Sequence, residues 1–182
     1  MLFVPKKVFF VKGIGHHKSK LGAFEQALRN AGIEKYNLVN VSSILPPNCI
    51  EITKEEGFKQ FHPGQIIYTV LSRITTNKLN QRISASIGIA KPSDKDHYGY
   101  LSEHHMYDPK PEEIEAYTEE LAAEMLATTL GIDFEPGADY DEKREVFKMA
   151  GEIVETKHIT EHALCKNENE WVSAIVAAVF IL

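Results

Sequence analysis

The 182-residue sequence has few cysteines, no excess of positive charge and no long apolar run. Its two cysteines, Cys49 and Cys165, form no metal-binding pattern, so neither a disulfide scaffold nor a cysteine–zinc site is expected. The 20 Lys and Arg against 26 Asp and Glu give a net charge of -6, which argues against nucleic acid as a partner. No segment has the length of a membrane span, and Met1 to Val4 is too short for a signal sequence. We therefore expect a cytoplasmic protein with no membrane partner.

The length and a hydrophobic content of 43% predict one domain, residues 1–182, with a sizeable core. Patterns of β-forming and alternating residues predict strands separated by two helices, which indicates a mixed α/β fold with buried strands. The predicted strands are Lys7–Lys12, Tyr36–Val41, Gly64–Ile74, Ile83–Ala90, a strand around Glu103, Lys148–His162 and Trp171–Leu182. Loops are predicted at Gly13–Lys20 and Asp133–Tyr140, with the stretch 133–149 resembling an insertion.

Each predicted helix has an apolar face and a glycine at its end. The first, over 21–31, is expected to bury one set of residues before Gly32, namely Leu21, Phe24, Leu28 and Ala31. The second, over 111–130, is expected to bury another set before Gly131, namely Ile114, Tyr117, Leu121 and Met125. We expect these helices to cover layers of strands.

Two serines follow the second predicted strand, directly before a rigid corner. Pro46 and Pro47 remove ladder donors and restrict the residue before them to extended backbone. Ser42 and Ser43 therefore lie where a strand meets a fixed turn, a place that can hold backbone strain. Taken alone, two serines before two prolines are typical of an ordinary turn.

The segment Asn37–Pro47, with the pattern Asn-Leu-Val-x-Val-Ser-Ser-Ile-Leu-Pro-Pro, closely resembles the self-cleavage segment of the pyruvoyl-dependent arginine decarboxylases. The resemblance implies an αββα sandwich of stacked sheets and outer helices, assembled as a homotrimer with active sites between neighbours. It also implies cleavage between Ser42 and Ser43, giving a β chain of residues 1–42 and an α chain of residues 43–182. Ser43 would become a covalent pyruvoyl cofactor.

The residues themselves can support such a cleavage. A Ser43 hydroxyl held against the carbonyl of Ser42 can attack it and convert the peptide into an ester. Elimination and hydrolysis then give a pyruvoyl group and ammonia. The tetrahedral oxyanion needs a hydrogen-bond donor, and Asn37 is the residue that matches the family's asparagine.

The resemblance also assigns a substrate and the residues that meet it. The pyruvoyl group would form a Schiff base with L-arginine and accept electrons as CO2 leaves, giving agmatine in the first step of polyamine synthesis. Glu103 would be the general acid that protonates the resulting carbanion. Leu21 and Glu25 would line the substrate pocket. Glu25 stands where the family has an aspartate, so its carboxylate lies one methylene further from the backbone.

Three alternatives remain open on sequence grounds, of which one is a non-catalytic relative that is not cleaved. The Glu25 difference is compatible with a pyruvoyl decarboxylase that acts on another amino acid. The segment His158 to His162 also matches His-x-x-Glu-His, a zinc-peptidase pattern that would make the protein a metal-binding hydrolase. That pattern requires a helix, whereas the β-branched residues here favour a strand, on which the two histidines are too far apart to share one metal easily.

Overall fold

The structure, a computed structural model, describes residues 3–133 and 153–182. Its elements, in chain order, are β1 (Lys7–His17), α1 (Lys20–Ala31), β2 (Asn37–Asn40), β3 (Ile44–Leu45), β4 (Ile50–Glu51), α2 (Lys54–Phe58), β5 (Ile66–Thr76), β6 (Arg82–Pro92), β7 (Gly99–Tyr107), α3 (Pro111–Leu130), β8 (Ile153–Leu164) and β9 (Trp171–Ile181). All of the predicted loop Asp133–Tyr140 except Asp133 lies outside the described residues, as do the first residues of the predicted strand Lys148–His162.

The strands of the described residues form two sheets. The first sheet has the order β2-β5-β9-β1-β4, and the second has the order β3-β7-β6-β8. Strand pairs are antiparallel except that β2 runs parallel to β5 and β4 runs parallel to β1. Strand β9 lies at the centre of the first sheet and is buried on both faces, as predicted from its continuous apolar sequence.

The two sheets stack face to face, and one long helix covers each outer face. Side chains such as Val70, Ile87 and Val176 fill the space between the sheets. Helix α1 packs on the outer face of the first sheet, and α3 packs on the outer face of the second. The fold is therefore an αββα sandwich, which confirms the predicted fold class. Within the described residues, no helix is long and apolar enough to cross a membrane.

The predicted loop at Gly13–Lys20 is wrong over most of its length, because β1 continues to His17 and pairs with β9 throughout. Gly13 and Gly15, which are typical loop residues, instead allow β1 to pack closely against α1. A Cβ atom at Gly15 would lie 2.0 Å from the carbonyl oxygen of Ala23, and one at Gly13 would lie 2.3 Å from that of Ala27. Glycine in this strand lets the helix backbone approach the sheet.

The predicted buried faces of the helices are only partly right. Helix α1 buries Ala31 as predicted, together with Ala23 and Ala27, and Phe24 and Leu28 pack half-buried against the same core, whereas Leu21 is 76% exposed. Helix α3 buries Ile114 as predicted, together with a different set, Thr118, Ala122, Ala123, Leu126 and Ala127. Most of the buried residues that were missed are small, because helix and sheet approach closely where strand glycines face the helix.

The small residues on one face of β6 belong to the same close packing. A Cβ at Gly88 would lie 2.0 Å from the carbonyl oxygen of Thr118, which also accepts a 2.6 Å hydrogen bond from the Ser102 hydroxyl. This face of β6 therefore packs against α3.

Candidate active site

Ser42 and Ser43 lie where the chain crosses from the first sheet to the second. On one side, the Val41 N–H extends the pairing of β2 with β5 by donating to the carbonyl of Thr69 at 2.9 Å. On the other, the carbonyl of Ser43 accepts a 2.8 Å hydrogen bond from the Leu101 N–H of β7. The crossing is therefore fixed at both ends by strand pairing.

The peptide bond between the two serines is held in a tight turn. The Ile44 N–H donates to the carbonyl of Ser42, two residues earlier, at 2.9 Å. This i to i+2 bond defines a γ-turn centred on Ser43. Ser43 is not among the residues with positive φ, so the turn is of the common inverse type.

The hydroxyl of Ser43 meets the predicted acid. Its Oγ donates to Oε2 of Glu103 at 2.6 Å, a short hydrogen bond to a carboxylate. Pairing of β3 with β7 brings the two residues together, because Ile44 lies opposite Tyr100 and the next strand positions extend towards Glu103. A hydroxyl bonded to a carboxylate beside a fixed carbonyl is an arrangement of nucleophile, base and acyl group.

Asn37 lies at the other end of β2 from Ser42. Its amide nitrogen donates to the carbonyl of Gly64 at 2.7 Å, and its backbone N–H donates to Gln65. These two contacts tie together the start of β2 and the loop before β5. A role at the Ser42–Ser43 bond stays a prediction for this residue.

Leu21 borders a cavity of about 460 Å³. The cavity is lined by Lys20, Leu21, Phe24, Arg73, Ile74, Thr75, His105 and Tyr107. Because side chains alternate along a strand, His105 and Tyr107 share the face of β7 that carries Glu103. They lie about 7 and 14 Å beyond it along the strand. One wall of the cavity therefore lies on the strand face that carries Glu103.

Glu25 lies one helical turn after Leu21 but does not line this cavity. It forms an ion pair with Arg29 on the exposed surface of α1. The described residues that line the cavity include the cations Lys20 and Arg73 and no carboxylate. Arg73 stacks over the ring of Phe24, with 5.1 Å between its guanidinium carbon and the ring centroid. Glu25 is the acid closest in sequence to Leu21 on the same face of α1. Its carboxylate is paired with Arg29 and does not reach the cavity.

Sequence reasoning missed the three cavity residues His105, Tyr107 and Arg73. Adjacent histidines on a strand, such as His104 and His105, point to opposite faces and by themselves indicate ordinary packing or surface residues. Counting by twos along the strand from Glu103 would have placed His105 and Tyr107 on its face. No comparable local signal identifies Arg73, because its place depends on the pairing of β5 with β9.

A second, mostly apolar cavity of about 380 Å³ borders Ser42. Its lining includes Val41 and Ile44 on either side of the serines, together with Phe3, Tyr68, Phe180 and Leu182. Four of the apolar side chains that line it are exposed, namely Phe3, Val41, Ile44 and Leu182. We call these four residues the edge patch. Clustered apolar exposure of this kind is typical of a protein–protein contact.

His158 and His162 lie on β8, as predicted, and both face α3. The Nδ1 atom of His158 is 2.5 Å from a carboxylate oxygen of Glu119, and His162 contacts Ser84 and Glu115 at 2.7 and 3.3 Å. No group of three or more potential ligands among residues 3–133 and 153–182 is arranged to hold a metal ion. The contacts of the two histidines join helix to sheet.

The surroundings of Ser43 suit a pyruvoyl group formed from that residue. The carbonyl of residue 43 would keep its bond from the Leu101 N–H, because neither atom takes part in the cleavage. The side-chain carbon of residue 43 would stay beside Glu103, which bonds the hydroxyl it carries now. The residues present therefore fit the group.

These features define a class of protein: an α/β sandwich in which a serine hydroxyl, hydrogen-bonded to a carboxylate, lies beside a peptide carbonyl held in a turn. Comparisons with known proteins agree with it. A family profile described as "Pyruvoyl-dependent arginine decarboxylase" matches residues 7–182. A Chlorobaculum tepidum protein named "Probable pyruvoyl-dependent arginine decarboxylase" is 53% identical over 100% of this chain and 99% of its own length. A Methanococcoides burtonii protein named "Pyruvoyl-dependent arginine decarboxylase" is 47% identical over 98% and 99%.

The chain belongs to the pyruvoyl-dependent arginine decarboxylase family. This membership confirms the resemblance drawn from the segment around Ser43. It confirms that the protein is an enzyme of the decarboxylase class and that its cofactor is a covalent pyruvoyl group. Family membership does not assign roles to individual residues, and the contacts of Ser43 bear on those roles.

Proposed function

We propose that this chain cleaves itself between Ser42 and Ser43 and then decarboxylates L-arginine to agmatine. The observation that carries the proposal is the 2.6 Å hydrogen bond from the Ser43 hydroxyl to Glu103, next to a peptide carbonyl fixed in a turn. Cleavage would divide residues 1–182 into a β chain of residues 1–42 and an α chain of residues 43–182.

In the first step, Glu103 accepts the hydroxyl proton as Ser43 Oγ attacks the carbonyl carbon of Ser42. The bond between that carbon and the nitrogen of Ser43 breaks, and the proton passes to the nitrogen. The result is an ester between Ser42 and the Ser43 oxygen, with a free amine on residue 43. The hydrogen bond to Glu103 supports this role because the base must lie within reach of the proton it takes.

The ester then undergoes elimination. Loss of the Cα proton of residue 43 expels the ester oxygen as the new carboxylate of Ser42. The remaining dehydroalanine takes up one water and releases ammonia, which leaves a pyruvoyl group at the start of the α chain. Overall, one water is consumed and one ammonia is formed.

In the decarboxylation, the pyruvoyl group supplies a carbonyl that condenses with the substrate amine and accepts electron density as CO2 departs. The chain's own residues do the rest. The Leu101 N–H holds the carbonyl of residue 43 in place, and Glu103 delivers a proton to the carbon that has lost CO2. The position of Glu103 beside residue 43 supports both of its roles.

We propose arginine as the substrate because the similar proteins are named for it and because the cavity lies at a suitable distance. The strand face between Glu103 and Tyr107 is about 14 Å long, enough for a long amino-acid side chain. Leu21 would pack against that side chain, and Glu25 would pair with its guanidinium after release from Arg29. An amino acid of another length remains the second candidate, since Glu25 replaces the family aspartate.

We further propose that the active enzyme is a homotrimer whose sites are completed between neighbouring copies. The edge patch supports self-association, because it surrounds Ser42 and is apolar. The conversion of arginine to agmatine would be the first step of polyamine synthesis.

Intact-mass analysis of the purified protein beside Ser43→Ala tests the cleavage. We expect two chains in the wild type, split after Ser42, with the larger one lighter by one ammonia than a serine-started chain. Ser43→Ala should remain a single chain. A wild type that stays intact after prolonged incubation would refute the proposal.

Release of CO2 from carboxyl-labelled arginine, lysine, ornithine and histidine then tests the substrate. We expect arginine to be preferred, with Glu25→Ala raising the KM more than it lowers kcat. Equal or better turnover of a shorter amino acid would transfer the assignment to the second candidate.

A further inference from the structure

We propose that the backbone N–H of Ile44 is the hydrogen-bond donor that stabilises the oxyanion when Ser43 attacks the carbonyl of Ser42. The inference rests on the proposed self-cleavage and names a catalytic group that neither the sequence pattern nor the comparisons assign. The observation behind it is the 2.9 Å hydrogen bond from Ile44 N to Ser42 O.

This N–H is available because it takes no part in the sheet. Ile44 lies opposite Tyr100 in the antiparallel pair of β3 and β7, and the bond from Leu101 N to the Ser43 carbonyl lies at the next pair of residues. In an antiparallel ladder, hydrogen-bonded and non-hydrogen-bonded pairs alternate. The pair of Ile44 and Tyr100 is therefore a non-hydrogen-bonded one, and the Ile44 N–H points away from β7.

The direction of this N–H matters for the reaction. Attack at the carbonyl carbon of Ser42 converts its oxygen into an oxyanion, and the charge develops on the atom that already accepts from Ile44. A donor that is in place before the reaction needs no reorganisation when the charge appears. Loss of one such donor typically costs on the order of 10²-fold in rate.

A second backbone hydrogen bond, from Leu101 to Ser43, holds Ser43 in place beside the carbonyl that Ile44 contacts. The Leu101 N–H holds the carbonyl of Ser43 at 2.8 Å, and Glu103 holds its hydroxyl at 2.6 Å. The Ser43 residue is thus fixed on two sides while Ile44 polarises the carbonyl before it. By contrast, the Asn37 side chain donates to Gly64 at the opposite end of β2. Within one chain, the backbone of Ile44 is the donor that already contacts the reacting oxygen.

The test compares the cleavage rate of full-length variants, followed by intact mass over time. Ile44→Pro removes the N–H, and Ile44→Val retains it with a similar side chain. A backbone ester at position 44, introduced as the α-hydroxy analogue of isoleucine, removes the N–H alone and avoids the constraint of the proline ring. The same ester replacement at Leu45 is the matched control, because it leaves the Ile44 N–H intact.

We expect cleavage to slow about 100-fold in Ile44→Pro and in the ester at 44, and to change less than about threefold in Ile44→Val and the ester at 45. Thermal unfolding of each variant combined with Ser43→Ala reports whether the uncleaved fold is retained. Should the proline variant fail to fold, the ester at 44 decides the question. Wild-type cleavage speed in that ester would overturn the inference. A wild-type protein that never cleaves would instead refute the proposed function.

Discussion

Ser43 and Glu103 lie 60 residues apart in the sequence, and their side-chain oxygens are 2.6 Å apart. Ser43 stands at the crossing between the two sheets, and Glu103 lies on the face of β7 that looks towards that crossing. Under the proposed function, this one carboxylate would take a proton from the hydroxyl before cleavage and deliver a proton at the same position afterwards.

Replacement of Glu103 by Gln should slow the self-cleavage of the Ser42–Ser43 bond by roughly 10²- to 10⁴-fold, because the amide cannot accept the hydroxyl proton. The measurement is the fraction of intact chain over time by mass spectrometry. Glu112→Gln, on the exposed first turn of α3, is the control and should cleave like the wild type. Normal cleavage in Glu103→Gln would show that another group is the base.

The two chains produced by cleavage should stay associated under native conditions. Residues 1–42 contain β1, which lies between β9 and β4 in the first sheet, and α1, which covers that sheet. Phe9 and Ala27, both fully buried, belong to this part of the chain. Each buried aromatic or aliphatic side chain contributes about 1.5–3 kcal/mol, so dissociation should require denaturant.

Native size-exclusion chromatography followed by denaturing mass analysis checks this association. Both chains should occur in one peak, and they should separate only in urea. Loss of the 42-residue chain from the native peak would contradict the arrangement of β1 and α1 in the fold.

The sequence predicted much of this fold because strand signals are local. The continuous apolar run of β9 and the alternation along β6 both identified strands, and the prolines after Ser43 marked the corner. The helix faces were partly misread for a physical reason. The buried face of α1 consists of alanines opposite Gly13 and Gly15, and this pairing of small residues can be recognised only when strand and helix are already known to touch.

The same distinction holds for the site. Ser42, Ser43 and Glu103 were found from the resemblance of short segments, and the structure brings Ser43 and Glu103 together. The contact of Ile44 with the Ser42 carbonyl depends on the pairing of β3 with β7, and the cavity residue Arg73 depends on the register of β5 and β9. Pairings between distant segments are not encoded in any one stretch of sequence.

Adding a methyl group at Gly15 should destabilise the protein by about 1–3 kcal/mol, because the new Cβ would lie 2.0 Å from a helix carbonyl oxygen of α1. Urea unfolding of Gly15→Ala, combined with Ser43→Ala to keep one chain, measures the change. Gly131→Asn is the control, because no atom among the neighbours in residues 3–133 and 153–182 lies within 4 Å of a Cβ there, and asparagine tolerates the positive φ of 70°. Equal stability of both variants would indicate that β1 and α1 do not pack as described.

The carboxylate of Glu51 should make stability depend on pH at acidic values. Burial raises its pKa, but hydrogen bonds and charges from Lys157 and Lys91 outweigh burial and hold the pKa below its ordinary value. These contacts join β4 of the first sheet to β6 and β8 of the second. A lowered folded-state pKa means that the unfolded chain binds the proton more readily. The stabilisation is therefore present above the unfolded-state pKa and is lost as the pH falls through the folded-state value.

Glu51→Gln should lower the free energy of unfolding at pH 7 by about 1 kcal/mol, because it removes the charge that two lysines share. The difference from the parent should shrink as the pH falls from the unfolded-state pKa towards the lower folded-state pKa, because the unfolded parent then takes up the proton more readily than the folded one. Urea unfolding at pH 7 and at pH 3, in the Ser43→Ala background, measures both values. Glu55→Gln, at an exposed position of α2, should change stability by less than about 0.5 kcal/mol at either pH. A Glu51→Gln difference that is as large at pH 3 as at pH 7 would mean that packing, and not charge, joins the two sheets at this edge.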